Sequence, residues 1–365
     1  MSFLTVQQFV DEALADIQTP HSLFLAFGHY VAEVRSNHAP LMDALRTYYR
    51  DFLTEPATPQ AVIHAVESPA PDPAVLASRG IDFSAKQPDP GKTKIKEEFL
   101  DLPDGRLVRK RLTGLLFAFG GGRHLALGPC LQNDNQIVNF INNRFIEYCL
   151  DGGSLLFHAA GVARNGRGLA LAGFSGMGKS TLALHIMRRG TQFVSNDRLM
   201  VKGGEPYDDP ATGISMFGVA KMPRINPGTI LNNPDLTSVM TEEEREEFES
   251  LPLDELWSLE HKYDAFIDEC FGPGKFLLAS AMSGLVLLNW TRDGGPLKIA
   301  QIDLGSRDDL MPAFMKPAGL FYGPGKETPY TMEAYRALLA RCPVYELSGG
   351  VDFDAAADWC ASLIK

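Results

Sequence analysis

The sequence predicts an α/β protein in two parts, and three observations carry that prediction. Strand-like apolar runs are interleaved with amphipathic helical ones, a glycine-rich loop joins an apolar strand to an apolar-periodic helix near mid-chain, and Gly152-Gly153 punctuates the chain just before that strand. The expected division is an N-terminal α+β domain, residues 1–150, serving substrate or partner recognition, and a loop-bearing domain, residues 151–365.

Taking the elements in order, Phe3, Val6, Val10, Leu14 and Ile17 have the spacing of a short amphipathic helix. Leu23 to Val34 reads as a strand that bends at Gly28. A helix follows over about 40–53, then a strand at Ala61–Val66. Ser68-Pro-Ala-Pro-Asp-Pro73 reads as a loop, because prolines break element interiors. Lys94–Leu102 and Leu107–Leu112 flank the turn Pro103-Asp104-Gly105-Arg106, and Leu115–Phe119 with Leu125–Leu127 extend that sheet around three glycines. Asn135–Leu150 carries a broad apolar face and ends at Gly152-Gly153, as a helix does.

Beyond that point come a strand over Leu155–Ala163, a turn at Asn165-Gly166 and a strand over Gly168–Ala172. A helix runs from Lys179 to about Arg189. Phe193-Val194 and Leu199–Val201 are short strands around Ser195-Asn196-Asp197-Arg198. Thr241–Glu249 is a solvated acidic helix, Leu285–Trp290 a buried strand, and Met332–Ala340 a helix.

The bulk numbers bound the function. The chain has 365 residues, 45% apolar and 22% charged, which is ordinary for a globular protein. A net charge of −11 without a Lys/Arg run argues against nucleic acid or an acidic membrane as partner. The N-terminus lacks the basic flank and apolar block of a signal peptide, and no apolar run approaches the ~20 residues that span a bilayer. Cys130, Cys149, Cys270, Cys342 and Cys360 are scattered, which suits free thiols in a cytoplasmic setting.

The chemistry concentrates in Gly173-Phe174-Ser175-Gly176-Met177-Gly178-Lys179-Ser180-Thr181, which matches the Gly-x-x-x-x-Gly-Lys-Ser/Thr phosphate loop. Glycines let successive N–H groups turn inward around an anion, Lys179 brings a positive charge to the outer phosphates, and the Ser180 hydroxyl can ligate Mg²⁺. The helix that follows presents its positive end to the same phosphates. Asp197, shortly after the helix that Lys179 opens, is the first acidic candidate to share Mg²⁺ with Ser180. ATP and Mg²⁺ are thus the expected ligands.

With that loop in place, three segments resemble HPr kinase/phosphorylase, a family that shares its core with phosphoenolpyruvate carboxykinases. They are Ser154-Leu-Leu-Phe-His158-Ala-Ala-Gly-Val162, Gly168 through Thr181, and Arg189-Gly-Thr-Gln-Phe-Val-Ser-Asn-Asp197-Arg198. Order and spacing match across all three. Lys221-Met-Pro-Arg224-Ile-Asn-Pro-Gly228 and Lys262-Tyr-Asp264-Ala-Phe-Ile-Asp268 look closest to the HPr-kinase-related group called kinase B. The resemblance implies a kinase fold of that type. It sets His158 facing the phosphates, and an oligomer would be in keeping with it. Arg224, and with it Lys221, sits on a Pro- and Gly-rich connection suited to carrying a cation over the transferring phosphoryl.

The departures also count. The family keeps two adjacent aspartates, the first taken as the base, where this chain has Asn196-Asp197. Proton acceptance would then fall to Asp197, His158, Asp264, Asp268 or Glu260, or matter little to the transfer. Lys179-Ser180-Thr181 stands where the bifunctional enzymes have Lys-Ser-Glu, and the segment they use to engage HPr is not recognisable. The expectation is a kinase acting on a hydroxyl of a small metabolite or on a Ser of a peptide or protein other than HPr. Its rivals are a nucleotide-binding regulator and an NTPase working within an assembly.

Overall fold

The computed structural model describes residues 4–88, 93–204, 211–252, 255–256, 259 and 261–365. Of the residues singled out above, Phe3 and Glu260 lie outside that set. The protein is mixed α/β and divides into two compact units. The first is Met1–Tyr148 with Ala318–Glu327, and the second is Cys149–Pro317 with Thr328–Lys365. The segment Ala318–Glu327 returns to the first unit from far along the chain, which a single cut after residue 150 does not allow for.

The first unit is built on strands β1 (His21–Phe27), β2 (Tyr30–Ser36), β3 (Leu53–Thr54), β4 (Ala61–Glu67), β5 (Ser84–Ala85), β6 (Glu97–Leu102), β7 (Gly105–Lys110), β8 (Leu116–Gly120) and β9 (Arg123–Gly128). They form one sheet in the order β3-β1-β2-β4-β9-β8-β7-β6-β5. The stretch expected as one bent strand at Leu23–Val34 is a hairpin instead, with Phe27 opposite Tyr30. Gly28 makes the difference: at φ 66° it supplies the left-handed turn residue of a two-residue hairpin loop.

Helix α1 (Val6–Leu14) starts in a Thr5–Gln8 capping box and buries Val6, Phe9 and Val10 against Leu107, Leu116, Ala118 and Leu125 of the sheet. Helices α2 (Ala39–Tyr48), α3 (Pro73–Ser78) and α4 (Asp134–Asp151) follow it in chain order. The proline-rich stretch therefore does enter an element, because Pro73 takes the first helical position behind the Asp72 cap, where no N–H is needed.

In the second unit the strands are β10 (Leu155–Phe157), β11 (Ala159–Arg164), β12 (Arg167–Gly173), β13 (Gln192–Ser195), β14 (Leu199–Gly203), β15 (Ile214–Phe217), β16 (Arg224–Ile225), β17 (Tyr263–Asp264), β18 (Ala279–Leu288), β19 (Leu297–Ile302) and β20 (Val344–Gly349). The main sheet runs β10-β14-β15-β18-β12-β11-β13, with β20 beside β18 and β19 beside β20. Strand β12 lies parallel to β18 and antiparallel to β11.

Alternation along β12 assigns its two faces. Leu169 and Leu171 pack with Leu182, Ala183 and Ile186 of helix α5 (Lys179–Met187) and with Ala356, Ala357 and Cys360 of the last helix, Phe353–Leu363. Ala170 and Ala172 face the opposite core, with Phe157, Leu199, Leu285, Met311 and Phe314. The strand expected over Leu155–Ala163 is two strands broken at His158. Leu155–Phe157 pairs with β14, whereas Ala159–Arg164 pairs with β12 and β13. His158 is the one polar residue in that apolar run and marks the break, but a single residue does not reveal a change of neighbouring strand. All five cysteines are free thiols.

Candidate functional site

The glycine-rich loop runs from the end of β12 into α5. Gly176 and Gly178 both stand at φ 84°, backbone that a side chain would strain. Helix α5 makes its first intrahelical bond from Leu182 N–H to Gly178 O at 2.8 Å, so the N–H groups of Lys179, Ser180 and Thr181 precede the ladder. The loop is held from outside by two aromatic groups. Trp290 Nε1 donates to Met177 O at 3.0 Å, and the Phe353 ring approaches so closely that a Cβ on Gly178 would lie 2.7 Å from it. Trp290 in turn meets Phe353 edge-on at 5.2 Å.

Lys179 is buried, and its Nζ donates to Gly173 O at 2.8 Å and Phe174 O at 3.4 Å. Burial holds its pKa below the ordinary lysine value; the Asp197 charge works against that shift and the Lys316 charge adds to it. Lys179 and Asp197 therefore act on each other. Ser180 follows on the first turn of α5 and is partly exposed. Ser175 is exposed on the loop itself.

His158 occupies the break between β10 and β11. Its backbone N–H donates to Phe314 O at 2.7 Å, and Lys316 N–H donates to Leu156 O at 3.1 Å, so the chain around Met315 runs alongside the end of β10. The His158 ring reaches Asp197, with Nε2 2.9 Å from Oδ1. Burial disfavours the charge on Asp197. The His158 hydrogen bond and the charges of His158, Lys316 and Arg198 outweigh it and hold the carboxyl below its usual range. Asp197 is thus a carboxylate at neutral pH, suited to a hard cation and poorly suited to taking a proton.

Asn196 and Asp197 sit in the turn between β13 and β14. Ser195 Oγ donates to Arg198 O at 2.6 Å and stabilises that turn. Among the described residues the Asn196 Oδ1 atom is buried and has no hydrogen-bond partner. Against this turn lies Gly218, where a Cβ would collide with Val194 O. From Gly218 the chain passes through Lys221 and Arg224 to Thr229, whose hydroxyl lies 2.9 Å from that of Thr181 at the start of α5. The span Gly218–Thr229 is therefore tied to the Asn196-Asp197 turn at one end and to the glycine-rich loop's helix at the other.

On that span, Arg224 lies on β16, pairs with Asp264 of β17 at 3.4 Å and is half exposed. Lys221 has its pKa lowered by burial first and by Arg198 and Arg224; Asp197 and Asp264 oppose the shift. Asp268 lies further on, in the short helix Ile267–Phe271. Tyr263 donates to Glu244 Oε1 at 2.9 Å, which makes it a packing and tethering residue.

The structure thus brings Lys179, Asp197 and His158 into one neighbourhood and adds groups that sequence reasoning missed. Lys316 lies in an irregular segment with no motif, and its proximity comes only from the pairing of Met315 with Phe157. Trp290 and Phe353 support Met177 and Gly178 from far downstream in the chain, a separation no local pattern spans. Asn226 and Thr229 had a signal in the Asn-Pro-Gly-Thr helix start: Thr229 donates to Asn226 Oδ1 at 2.9 Å. Among the described residues no group of three or more His, Cys, Asp or Glu is placed to hold a metal ion by itself, and no helix is long and apolar enough to cross a membrane.

Comparison with protein-family models finds no match, and comparison with curated proteins finds no relative. The chemistry of the second unit has to be read from its own residues.

Proposed function

We propose that the second unit is an ATP- and Mg²⁺-dependent kinase that transfers the γ-phosphoryl group to a hydroxyl, with a core of the HPr-kinase type. The observation that carries this reading is the loop Gly173–Thr181 between β12 and α5, with Asp197 within electrostatic reach of Lys179 and hydrogen-bonded to His158. The left-handed glycines and the leading N–H groups of α5 suit a polyphosphate. On this reading Gly173, Ser175, Gly176, Met177, Gly178 and Thr181 wrap the nucleotide, and Lys179 turns from Gly173 O to the outer phosphates. Ser180 and Asp197 would hold Mg²⁺, with phosphate oxygens and water completing its shell. The metal supplies charge neutralisation of the triphosphate.

In the transfer the acceptor oxygen bonds to the γ phosphorus as the bond to the β–γ bridging oxygen breaks, and ADP leaves. Arg224 would sit over the equatorial oxygens once turned from Asp264. The hydroxyl proton passes to His158 or to solvent, since Asp197 is held ionised and a loose transition state needs little help from a base.

The test is incubation with γ-³²P-ATP and Mg²⁺ against a metabolite extract. Label should appear in an acceptor and be lost in Lys179→Ala. Transfer that persists in Lys179→Ala would overturn the assignment of the loop. A second reading, a nucleotide-binding regulator without transfer, draws on Asn196 and on the ionised state of Asp197, which together leave the turn without a ready base. Tight MgATP binding with neither transfer nor hydrolysis would select it, and acceptor-independent release of ADP would select an NTPase.

A further inference from the structure

Helix α5 and the last helix, Phe353–Leu363, meet in a fixed alignment. His185 and Arg189 stand one turn apart at and just beyond the end of α5, and Asp354 and Asp358 stand one turn apart on the last helix. His185 Nδ1 lies 3.4 Å from Asp354 Oδ1. Arg189 donates to Asp354 Oδ1 at 3.0 Å, to Asp354 O at 3.1 Å and to Asp358 Oδ1 at 2.8 Å. It also donates to His185 O at 2.9 Å, which fixes its fork against α5. Both aspartates are exposed, so each pair adds little stability. What the pairs set is register, since a slip of one turn, about 5.4 Å, would break them together.

That register lands Phe353 on the glycine-rich loop. Its ring stacks on His185 at 5.4 Å and meets Trp290 edge-on at 5.2 Å. Its Cζ lies 2.7 Å from the place a Cβ on Gly178 would take. Met177, one residue earlier, packs on the same core and gives its carbonyl to Trp290. The two left-handed glycines of the loop therefore differ. Gly176 and Gly178 share a φ of 84°, but among the described residues nothing stands within 4 Å of a Cβ position on Gly176, whereas Gly178 is backed by a ring. Glycine has the widest backbone freedom of any residue, so a loop built on it keeps one conformation only where something outside holds it. Phe353 is itself only partly buried, at the first position of its helix behind the Asp352 cap. Its closest engagement is with the loop.

Resting on the kinase reading, we infer that Phe353 is a positioning residue for the phosphate loop. Docking of the last helix on α5 sets its ring against Gly178 and keeps the loop amides turned toward the polyphosphate. Phe353 does not touch the nucleotide; it acts through Gly178, and the gain is preorganisation. Filling the loop and docking the last helix are then one coupled event, and the coupling runs both ways: a nucleotide in the loop tightens a helix that it does not touch. A ring that only fills the core has neither effect.

The experiment is hydrogen exchange read by mass spectrometry on the full-length protein, alone and with Mg²⁺ and the non-transferring analogue AMP-PNP, with calorimetry for the affinity. In the protein alone, Phe353→Ala should speed exchange over residues 173–181 about tenfold more than it speeds exchange over β12. AMP-PNP affinity should fall by about tenfold in the same variant. AMP-PNP should slow exchange over residues 353–363 in the unaltered protein and fail to do so in Phe353→Ala. Asp354→Asn keeps the ring and loosens the register, and should show the same pattern at about two- to threefold. Phe353→Leu, which keeps an apolar group but no ring on Gly178, is the second variant should Phe353→Ala fail to fold. A lowered melting temperature with loop exchange or AMP-PNP affinity unchanged would make Phe353 a core residue and overturn the inference. If AMP-PNP does not bind the unaltered protein, the kinase reading falls. Exchange in the protein alone then still decides: a loop loosened by Phe353→Ala or Phe353→Leu beyond β12 upholds the positioning role, and an unchanged loop removes it.

Discussion

The 2.9 Å contact between His158 Nε2 and Asp197 Oδ1 decides which of these side chains is available to a proton. Burial alone would raise the pKa of Asp197; the His158 hydrogen bond and the charges of His158, Lys316 and Arg198 reverse that and bring it below the ordinary aspartate value. A folded-state value below the unfolded one means that Asp197 contributes stability above the unfolded pKa, and that the contribution fades as pH falls through the folded one. Titrating the Asp197 carboxyl carbon by NMR should therefore give a midpoint below that of an unstructured aspartate in the native protein, and a higher one in His158→Ala. An unchanged midpoint in His158→Ala would show that the histidine does not set the charge state. The partnership was legible in sequence only as a resemblance: the whole glycine-rich loop and its helix lie between His158 and Asp197, and no local spacing pairs them. Asn196 was legible as a departure from the pattern of the family that the segment resembles, but the burial of its oxygen, with no partner among the described residues, needed coordinates.

Among elements, the loop and its two flanks were read correctly because each has a local cause. Leu169 and Leu171 alternate with Ala170 and Ala172, glycines mark the turn, and Leu182, Ala183 and Ile186 share a helical face. What fixes the loop from behind was not legible, because Trp290 and Phe353 reach it through tertiary packing. Trp290 is 3% exposed, and its indole N–H is donated to Met177 O. Trp290→Phe keeps a ring against Phe353 and leaves that carbonyl without its partner, at a cost of about 1–3 kcal/mol. Because the lost bond ends on the loop, the MgATP affinity proposed for it should fall by about tenfold in calorimetry, by more than the general stability loss explains. A lowered melting temperature with unchanged MgATP affinity would reduce Trp290 to a core residue. Strands β15, β19 and β20 also escaped sequence reading, although Gly213 and Gly218 bracket β15, Gly294-Gly295-Pro296 leads into β19 and Gly349-Gly350 closes β20.

At the scale of the whole molecule, the chain crosses between its units more than once, and the later crossing has consequences for stability. Ala318–Glu327 belongs to the first unit although the whole stretch Cys149–Pro317 of the second unit separates it from Tyr148. Phe321 fills a box of aromatic rings, with centroids 5.4 Å from Phe117, 5.7 Å from Phe119 and 6.0 Å from Phe140, and Lys110 lies 5.1 Å over its face. Arg106 donates to Leu320 O at 2.8 Å and Tyr322 O at 3.2 Å, and Arg144 donates to Phe321 O. Glu147 accepts from Gly323 N–H at 3.1 Å and Lys326 Nζ at 3.0 Å. A segment bound through so many groups is an integral part of that unit, and it supplies the buried Arg144 with an acceptor. The fragment 1–150, which the sequence suggested as a domain, should therefore expose its aromatic box and fold poorly by itself. A synthetic peptide of residues 318–327 added to it should raise its melting temperature. In the full chain, Phe321→Ala removes a partly buried ring and should cost about 1–3 kcal/mol and lower the first unit's transition in calorimetry. The second unit's transition should stay in place if the units unfold separately. A fragment 1–150 as stable as the first unit of the full chain, together with a silent Phe321→Ala, would show that the returning segment adds nothing to that core.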